Sequence, residues 1–487
     1  MSGNFDQQLD DALPVVDRAA LISALAAALP AEAVLAEPEQ LRPFECDGLP
    51  TVRALPLVTV LPETVEQVQA VVNCCRELGV PIVTRGAGTG LSCGATPVEA
   101  GVLLVTSRLD AVLSIDAEAR LARVQPGVRN LAISDAVAEF GLFYAPDPSS
   151  QLACSIGGNV AENAGGVHCL KYGLTINNVY AVTVVTMDGE LVEMTVDDLG
   201  PDLLAAFIGS EGLFGIAVEV TVKLLPTPPA VETLLVAFDS IADCSRAVST
   251  TIAAGVIPAG MEMMDQMALR AAEDFARAGY PRDATAILLV ELDGHADTVA
   301  AEREALEQLM LAAGATSIRC ARDDAERALF WKGRKSAFPA VARLMPDYYC
   351  MDGTIPRDAI GEVLDYICIR SNHYELPVAN VFHAGDGNLH PLILFDANQP
   401  GALEKAERLG ADILEKCIAL GGTITGEHGV GREKINQMAV QFSDAELDQF
   451  RRLKRAFDPQ GLLNPGKTIP TLKRCQEYRS IFSERAA

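Results

Sequence analysis

Hydrophobic and polar positions alternate in two rhythms along this chain. Leu57–Leu61 is apolar and β-branched, which predicts a strand. Pro62 follows, and Thr64 with Gln67 forms a capping-box pattern. Apolar residues then recur at Val65, Val68, Val71, Val72, Cys75 and Leu78, a helical stripe that ends at Gly79. Strands are predicted at 80–84 and 102–106, so the chain opens as β-α-β. Val179–Met187 reads as a long strand, Asp188-Gly189 as a hairpin turn into Leu191–Thr195, and Ile216–Leu224 as an alternating strand.

The rhythm changes after the proline-rich Leu225–Pro229, the best candidate for a domain boundary. Strands at 233–238 and 286–292 then alternate with helical stretches at 241–254 and 297–313, the pattern of a ferredoxin-like α/β domain. Helices are expected at 402–420 and 444–457. The predicted organisation is a helical segment (1–49), a first domain (50–228), a second domain (229–410) and a closing segment (411–487), α+β overall.

Three glycine-rich loops interrupt the first domain. They are Arg85-Gly86-Ala87-Gly88-Thr89-Gly90-Leu91-Ser92-Cys93-Gly94, the stretch 145–173, and Ile208–Gly215. The first puts many backbone N–H groups behind a strand, which suits a diphosphate as well as an ordinary turn. It lacks the Gly-Lys-Ser/Thr of a nucleotidase phosphate loop, and Leu91 breaks the dinucleotide fingerprint.

Composition narrows the function. A net charge of −26 argues against nucleic acid and against docking on anionic lipid. No run of 18 apolar residues occurs, and the acidic start of the chain lacks a secretory core, so a cytoplasmic protein with reduced thiols is expected. The 12 cysteines show no C-x-x-C spacing, which leaves no iron–sulfur or zinc-ribbon pattern in this chain. Three of the 6 histidines, His383, His390 and His428, lie in glycine-broken turns, with Glu427 beside the last. Two imidazoles and a carboxylate suit a divalent transition metal, and a remaining histidine could move protons.

Taken together, the glycine loops resemble the FAD-binding domain of the family typified by vanillyl-alcohol oxidase and p-cresol methylhydroxylase. The resemblance implies a two-lobed FAD-binding domain of the p-cresol methylhydroxylase type with a ferredoxin-like substrate domain, the C-terminal segment returning to the flavin. It implies that Arg85, Gly86, Gly88, Thr89, Gly90, Leu91 and Ser92 contact the diphosphate. It places Pro146, Asp147, Gly157, Gly158, Asn159, Asn163, Gly165 and Gly166 at the flavin end, and Glu211, Gly215 and Ile216 at the rest of the nucleotide. With no His in the first loop, and Cys93 and Cys154 merely near, tight non-covalent FAD is expected.

The stretches 331–340, 347–357, 380–398, 426–438 and 461–475 are similar to the catalytic flavin subunits of glycolate oxidases, in the D-lactate and D-2-hydroxy-acid dehydrogenase group. This implies that Arg334 grips the substrate carboxylate, that His383, His390 and Glu427 hold zinc, iron or manganese, that His428 is the base, and that Asn464 returns to the flavin. Relatives acting on 2-hydroxyglutarate hold the distal carboxylate with residues that align here with Cys350 and Leu392, neither of which can pair with it. The expected activity is oxidation of glycolate and D-lactate. Electrons would pass to a second flavin-domain subunit, an iron–sulfur subunit and quinone rather than NAD, with membrane contact only through those partners. The alternatives are a stand-alone D-lactate or D-2-hydroxyglutarate dehydrogenase, and a non-catalytic flavin-domain scaffold.

Overall fold

The structure, a computed structural model, describes residues 16–486; the first fifteen residues of the expected helical segment lie outside them. The chain divides into two compact units. The first comprises residues 16–164, Leu174–Pro226 and 427–486, and the second comprises Gly165–Gly173 and Thr227–Gly426. The sequence reading keeps 165–173 inside the first domain, whereas its contacts belong to the second unit.

The first unit has two main sheets. One contains β1 (Val34–Leu35), β2 (Val58–Val60), β3 (Ile82–Arg85) and β4 (Val102–Val105), ordered β1-β2-β4-β3, with β2, β4 and β3 parallel. The other is antiparallel. It contains β5 (Val112–Asp116), β6 (Leu121–Val124), β8 (Val179–Val185), β9 (Leu191–Thr195) and β10 (Ile216–Lys223), ordered β5-β6-β10-β8-β9. A small ribbon pairs β7 (Leu142–Phe143) with β11 (Leu225–Pro226).

The predicted helix is observed at Val65–Leu78, with the Thr64 hydroxyl accepting from the Gln67 N–H and Gly79 left-handed beyond its end. Its stripe Val68, Val71, Val72 and Cys75 is fully buried. The closing segment completes this unit: Leu463 pairs in parallel with Ile82, placing 462–464 alongside β3.

The second unit is built on one seven-stranded sheet. It contains β12 (Ala230–Phe238), β13 (Gly260–Asp265), β14 (Ala286–Gly294), β15 (Ser317–Cys320), β16 (Asp347–Cys350), β17 (Val378–His383) and β18 (Asn388–Phe395), ordered β15-β12-β14-β13-β17-β18-β16. The run β15-β12-β14-β13, with helices Ile241–Ala253 and Ala296–Ala312 as connections, is the ferredoxin-like arrangement. The hairpin β17–β18 and the edge strand β16 extend it. Leu235, Met264, Leu289, Val381 and Leu392 share an apolar core with residues of helices Gln266–Ala276 and Asp324–Lys335. Glu262, His383 and His390 lie on that same face of the sheet.

Candidate active site

In the second unit, strand register aligns the polar groups. Glu262 on β13 lies directly opposite His383 on β17, and His390 on β18 lies opposite Val381. Side chains two residues apart share a sheet face, so Glu262, His383, His390, Leu392 and Cys350 all project to one side. The His383 and His390 rings are 4.9 Å apart, centre to centre. His383 Nδ1 is 2.7 Å from Glu262 Oε1, and His390 Nδ1 is 3.4 Å from the Met351 carbonyl. Each ring thus donates through Nδ1, the tautomer whose Nε2 carries the lone pair a metal needs.

The other Glu262 oxygen, Oε2, is 2.5 Å from Arg334 Nη2 at the C-terminal end of helix Asp324–Lys335. Arg334 and Glu262 are 1% and 2% exposed, so this is a buried ion pair. Burial pushes the Glu262 carboxyl up, but Arg334 and then His383 outweigh it and hold it below its ordinary value. Arg334 Nε is buried with no protein hydrogen-bond partner. A guanidinium that spends one edge on Glu262 and keeps another donor for a ligand suits a carboxylate.

Cys350 and Leu392 face each other across β16 and β18 and are buried in the same apolar core. Beyond the sheet, Asp352 accepts from the Asn388 side-chain amide (3.0 Å), the Thr425 hydroxyl (2.5 Å) and the Gly426 N–H (3.1 Å). It thereby fixes the residues that lead into Glu427 and His428.

Glu427 and His428, both half-buried, open the part of the chain that belongs to the first unit. There the shaping is done by backbone contacts. The Glu211 carboxylate accepts from the N–H groups of Val430 (2.8 Å) and Gly431 (2.6 Å) and from the Thr468 hydroxyl (2.9 Å). Burial lifts Glu211 above its ordinary value against these three donors. Lys434 Nζ donates to the Gly429 carbonyl at 2.7 Å. Gly429 is left-handed, and a Cβ there would lie 2.1 Å from Glu162 Oε2, so only glycine fits. Burial and then Glu211 push Glu162 well above the carboxylate range.

The first glycine loop leaves β3 at Arg85, whose Nη1 donates to the Cys46 carbonyl at 2.5 Å. Gly88 is left-handed and stacked so closely on this guanidinium that a Cβ would meet it at 2.1 Å. Gly86, Thr89, Gly90 and Leu91 are half-buried. Ser92 is buried, and its carbonyl accepts from the Arg432 N–H. Asn464 Nδ2 donates to the carbonyls of Glu211 (2.7 Å) and Gly94 (3.2 Å). Lys467 Nζ donates to the carbonyls of Gly94 (2.7 Å) and Thr96 (2.6 Å). Burial lowers Lys467 to about 7 and raises Asp47 to about 6.

In the second loop, Ser155 caps the helix Ile156–Glu162, which holds Gly157, Gly158 and Asn159 and ends at left-handed Asn163. The Pro146 carbonyl accepts from the Asn130 side chain, and Asp147 follows it. Gly165 and Gly166 begin the segment assigned to the second unit. The third loop ends at Gly215, where a Cβ would lie 2.4 Å from Val184. Ile216 begins β10, and its side chain is buried in apolar core. Ser92 Oγ, Asn159 Nδ2, Ser210 Oγ and Asn464 Oδ1 are buried without a protein partner. Buried polar atoms carry such a cost that a bound polar group is the ordinary explanation. These loops therefore fit a dinucleotide.

Sequence reasoning missed Glu262, Asp352 and Lys467. Glu262 had a signal, being a lone acid among methionines in Gly260–Asp265. Of the expected nucleotide contacts, the Glu211 carboxylate holds the 430–431 backbone and the Ile216 side chain packs in the core.

These features define the class, an FAD-linked oxidase. Residues 56–195 match the FAD binding domain, and residues 227–468 match the FAD linked oxidases, C-terminal domain. The chain is 59% identical to the glycolate oxidase subunit GlcD of Escherichia coli (strain K12), over 99% of this chain and 97% of that protein. It is 32% identical to a D-lactate dehydrogenase of Anaerostipes hadrus, covering 85% and 90%. A crystal structure of p-cresol methylhydroxylase with substrate bound has the same fold, with a TM-score of 0.79 at 20% identity, covering 93% and 97%. The chain belongs to the family of the glycolate oxidase subunit GlcD.

Proposed function

We propose that this chain oxidises glycolate, and also D-lactate, to the 2-oxo acid. The observation that carries this reading is the buried Glu262 pair, which presents Arg334 and a tautomer-fixed His383 on one sheet face. Similarity to a glycolate oxidase subunit supports the choice of substrate.

The three glycine loops would hold FAD non-covalently, and the flavin, when bound, would supply the hydride acceptor. The donor set of His383, His390 and Glu427 would hold a divalent metal, whose Lewis acidity favours loss of the hydroxyl proton. Arg334 binds and orients the substrate carboxylate. His428 takes the hydroxyl proton as general base. Asn464 and Lys467 hold the Gly94 carbonyl at the end of the first glycine loop, whose backbone N–H groups would receive the diphosphate. Cys350 and Leu392 make the end of the substrate pocket apolar, and a second carboxylate buried there would cost several kcal/mol.

No helix among the described residues is long and apolar enough to cross a membrane. We propose that electrons leave through a second flavin-domain subunit and an iron–sulfur subunit, which would bring the chain to the inner face of the membrane.

The test is turnover with an artificial dye acceptor. Glycolate and D-lactate should react, L-lactate little, and D-2-hydroxyglutarate almost not at all. A preference for the five-carbon diacid would overturn the pocket assignment. Chelation should abolish turnover while FAD stays bound, and acid precipitation should release all the flavin.

A further inference from the structure

We infer that Glu262 is a positioning residue that holds both His383 and Arg334 in working orientation. This rests on the reading just given, in which His383 binds metal and Arg334 binds the substrate carboxylate.

One carboxylate serves two groups. Oε1 is 2.7 Å from His383 Nδ1, and Oε2 is 2.5 Å from Arg334 Nη2. All three side chains are almost wholly buried. A buried ion pair is a poor source of stability, because apolar residues of the same volume do as well or better. Here they would have packed easily, since the neighbours on this face include Met264, Leu289 and Val381. What the carboxylate supplies and a hydrocarbon does not is orientation. It fixes which His383 nitrogen carries the proton, and it anchors one edge of the Arg334 fork. The buried Arg334 Nε, without a protein partner, is then left as a donor for a ligand.

Glu291 provides the contrast. It lies on the same sheet face and is also buried, yet its oxygens are taken up by the His168 ring (3.0 Å), the Thr233 hydroxyl (2.6 Å) and the Trp331 N–H (2.5 Å). Glu291 ties structure together, whereas Glu262 holds two groups assigned to chemistry.

The experiment uses the full flavin-loaded chain with Glu262→Gln, Glu262→Asp and Glu291→Gln. Metal is removed by chelation, zinc is titrated back against a chromophoric chelator, and glycolate kinetics are then read at saturating zinc. Glu262→Gln should weaken zinc binding about 10- to 100-fold, the usual effect of losing the partner of a ligating histidine. At saturating zinc its KM for glycolate should stay raised, by about tenfold, because a neutral amide anchors the guanidinium poorly. Glu262→Asp, which keeps the charge, should recover part of both. Glu291→Gln should lower thermal stability and leave zinc affinity unchanged.

Wild-type zinc affinity and glycolate KM in folded Glu262→Gln overturn the inference. If that variant does not fold, Glu262→Asp decides, since its shorter side chain should weaken zinc several-fold and unchanged affinity counts against. A flavin-loaded wild type that takes up no zinc, and no manganese in parallel, refutes the metal reading itself. The His383 half of the inference falls with it, and the glycolate KM then judges the Arg334 half alone.

Discussion

The two units hold their candidate site groups by different physics. In the second, Glu262, His383, His390 and Cys350 sit on paired strands, and their alignment follows from register. In the first, the corresponding groups sit on loops, and buried ionisable side chains grip backbone to shape them: Glu211 on 430–431, Lys434 on 429, Lys467 on 94 and 96. A strand-built site is set by many ladder bonds, so one substitution disturbs the group replaced and its partner. A loop-built site hangs on a few contacts, so one substitution should release a whole segment.

That contrast can be broken most forcefully at Arg334. Arg334→Met leaves Glu262 charged, buried and without its cation, which should cost about 3–5 kcal/mol in a urea titration. Adding Glu262→Gln should return much of that stability without returning turnover. A double variant no more stable than the single one would mean that the two residues are not a pair.

Next in size is His428→Asn, which should lower the catalytic rate by about a hundredfold or more with FAD content unchanged. A near-normal rate rejects His428 as the base.

Glu211→Ala tests the loop-built side. Two N–H groups and one hydroxyl lose their acceptor, at about 1–3 kcal/mol for each group left buried without one. Flavin should then dissociate more readily, and limited proteolysis should cut within 427–433. An intact loop with normal flavin retention would show that Glu211 is dispensable.

The smallest effect concerns pH. Asp47 is raised to about 6 in the folded chain from an ordinary 3.8. The folded state therefore holds a proton that the unfolded state gives up. Its stabilising contribution is complete below pH 3.8 and is lost as pH rises to about 6, by about 1–3 kcal/mol. Asp47→Asn, which keeps an oxygen for the Leu49 N–H, should remove that part of the slope. An unchanged slope between pH 4 and 6.5 would reject it.

The same contrast explains what could be read from the sequence. Helix Val65–Leu78 was legible because Thr64 and Gly79 mark its ends and one face is apolar. The glycine loops were legible because their backbone shape demands glycine, as at Gly88. The hairpin β17–β18 was seen only as a turn. Every residue of both strands is buried, so no alternation shows the register that puts His383 opposite Glu262. The acceptors of loop N–H groups are also invisible in sequence, because nothing local tells Glu211 that its partners lie about 220 positions away.

The path of the chain has a consequence for how the protein is made. It leaves the first unit at residue 164, returns at 174, leaves again at 226 and returns at 427. Lys467 and Gly94, which hold one another, are 373 residues apart in sequence. A ribosome delivers the parallel core of the first unit early, but the segment that lies along β3 emerges almost last. The unit must wait through the synthesis of the second one with that sheet edge open, a period of exposure to chaperones and to wrong strand partners. Truncation at either crossing after 226 would therefore yield a fragment lacking part of its own fold, and neither family-matched region should be expected to survive excision along linear boundaries.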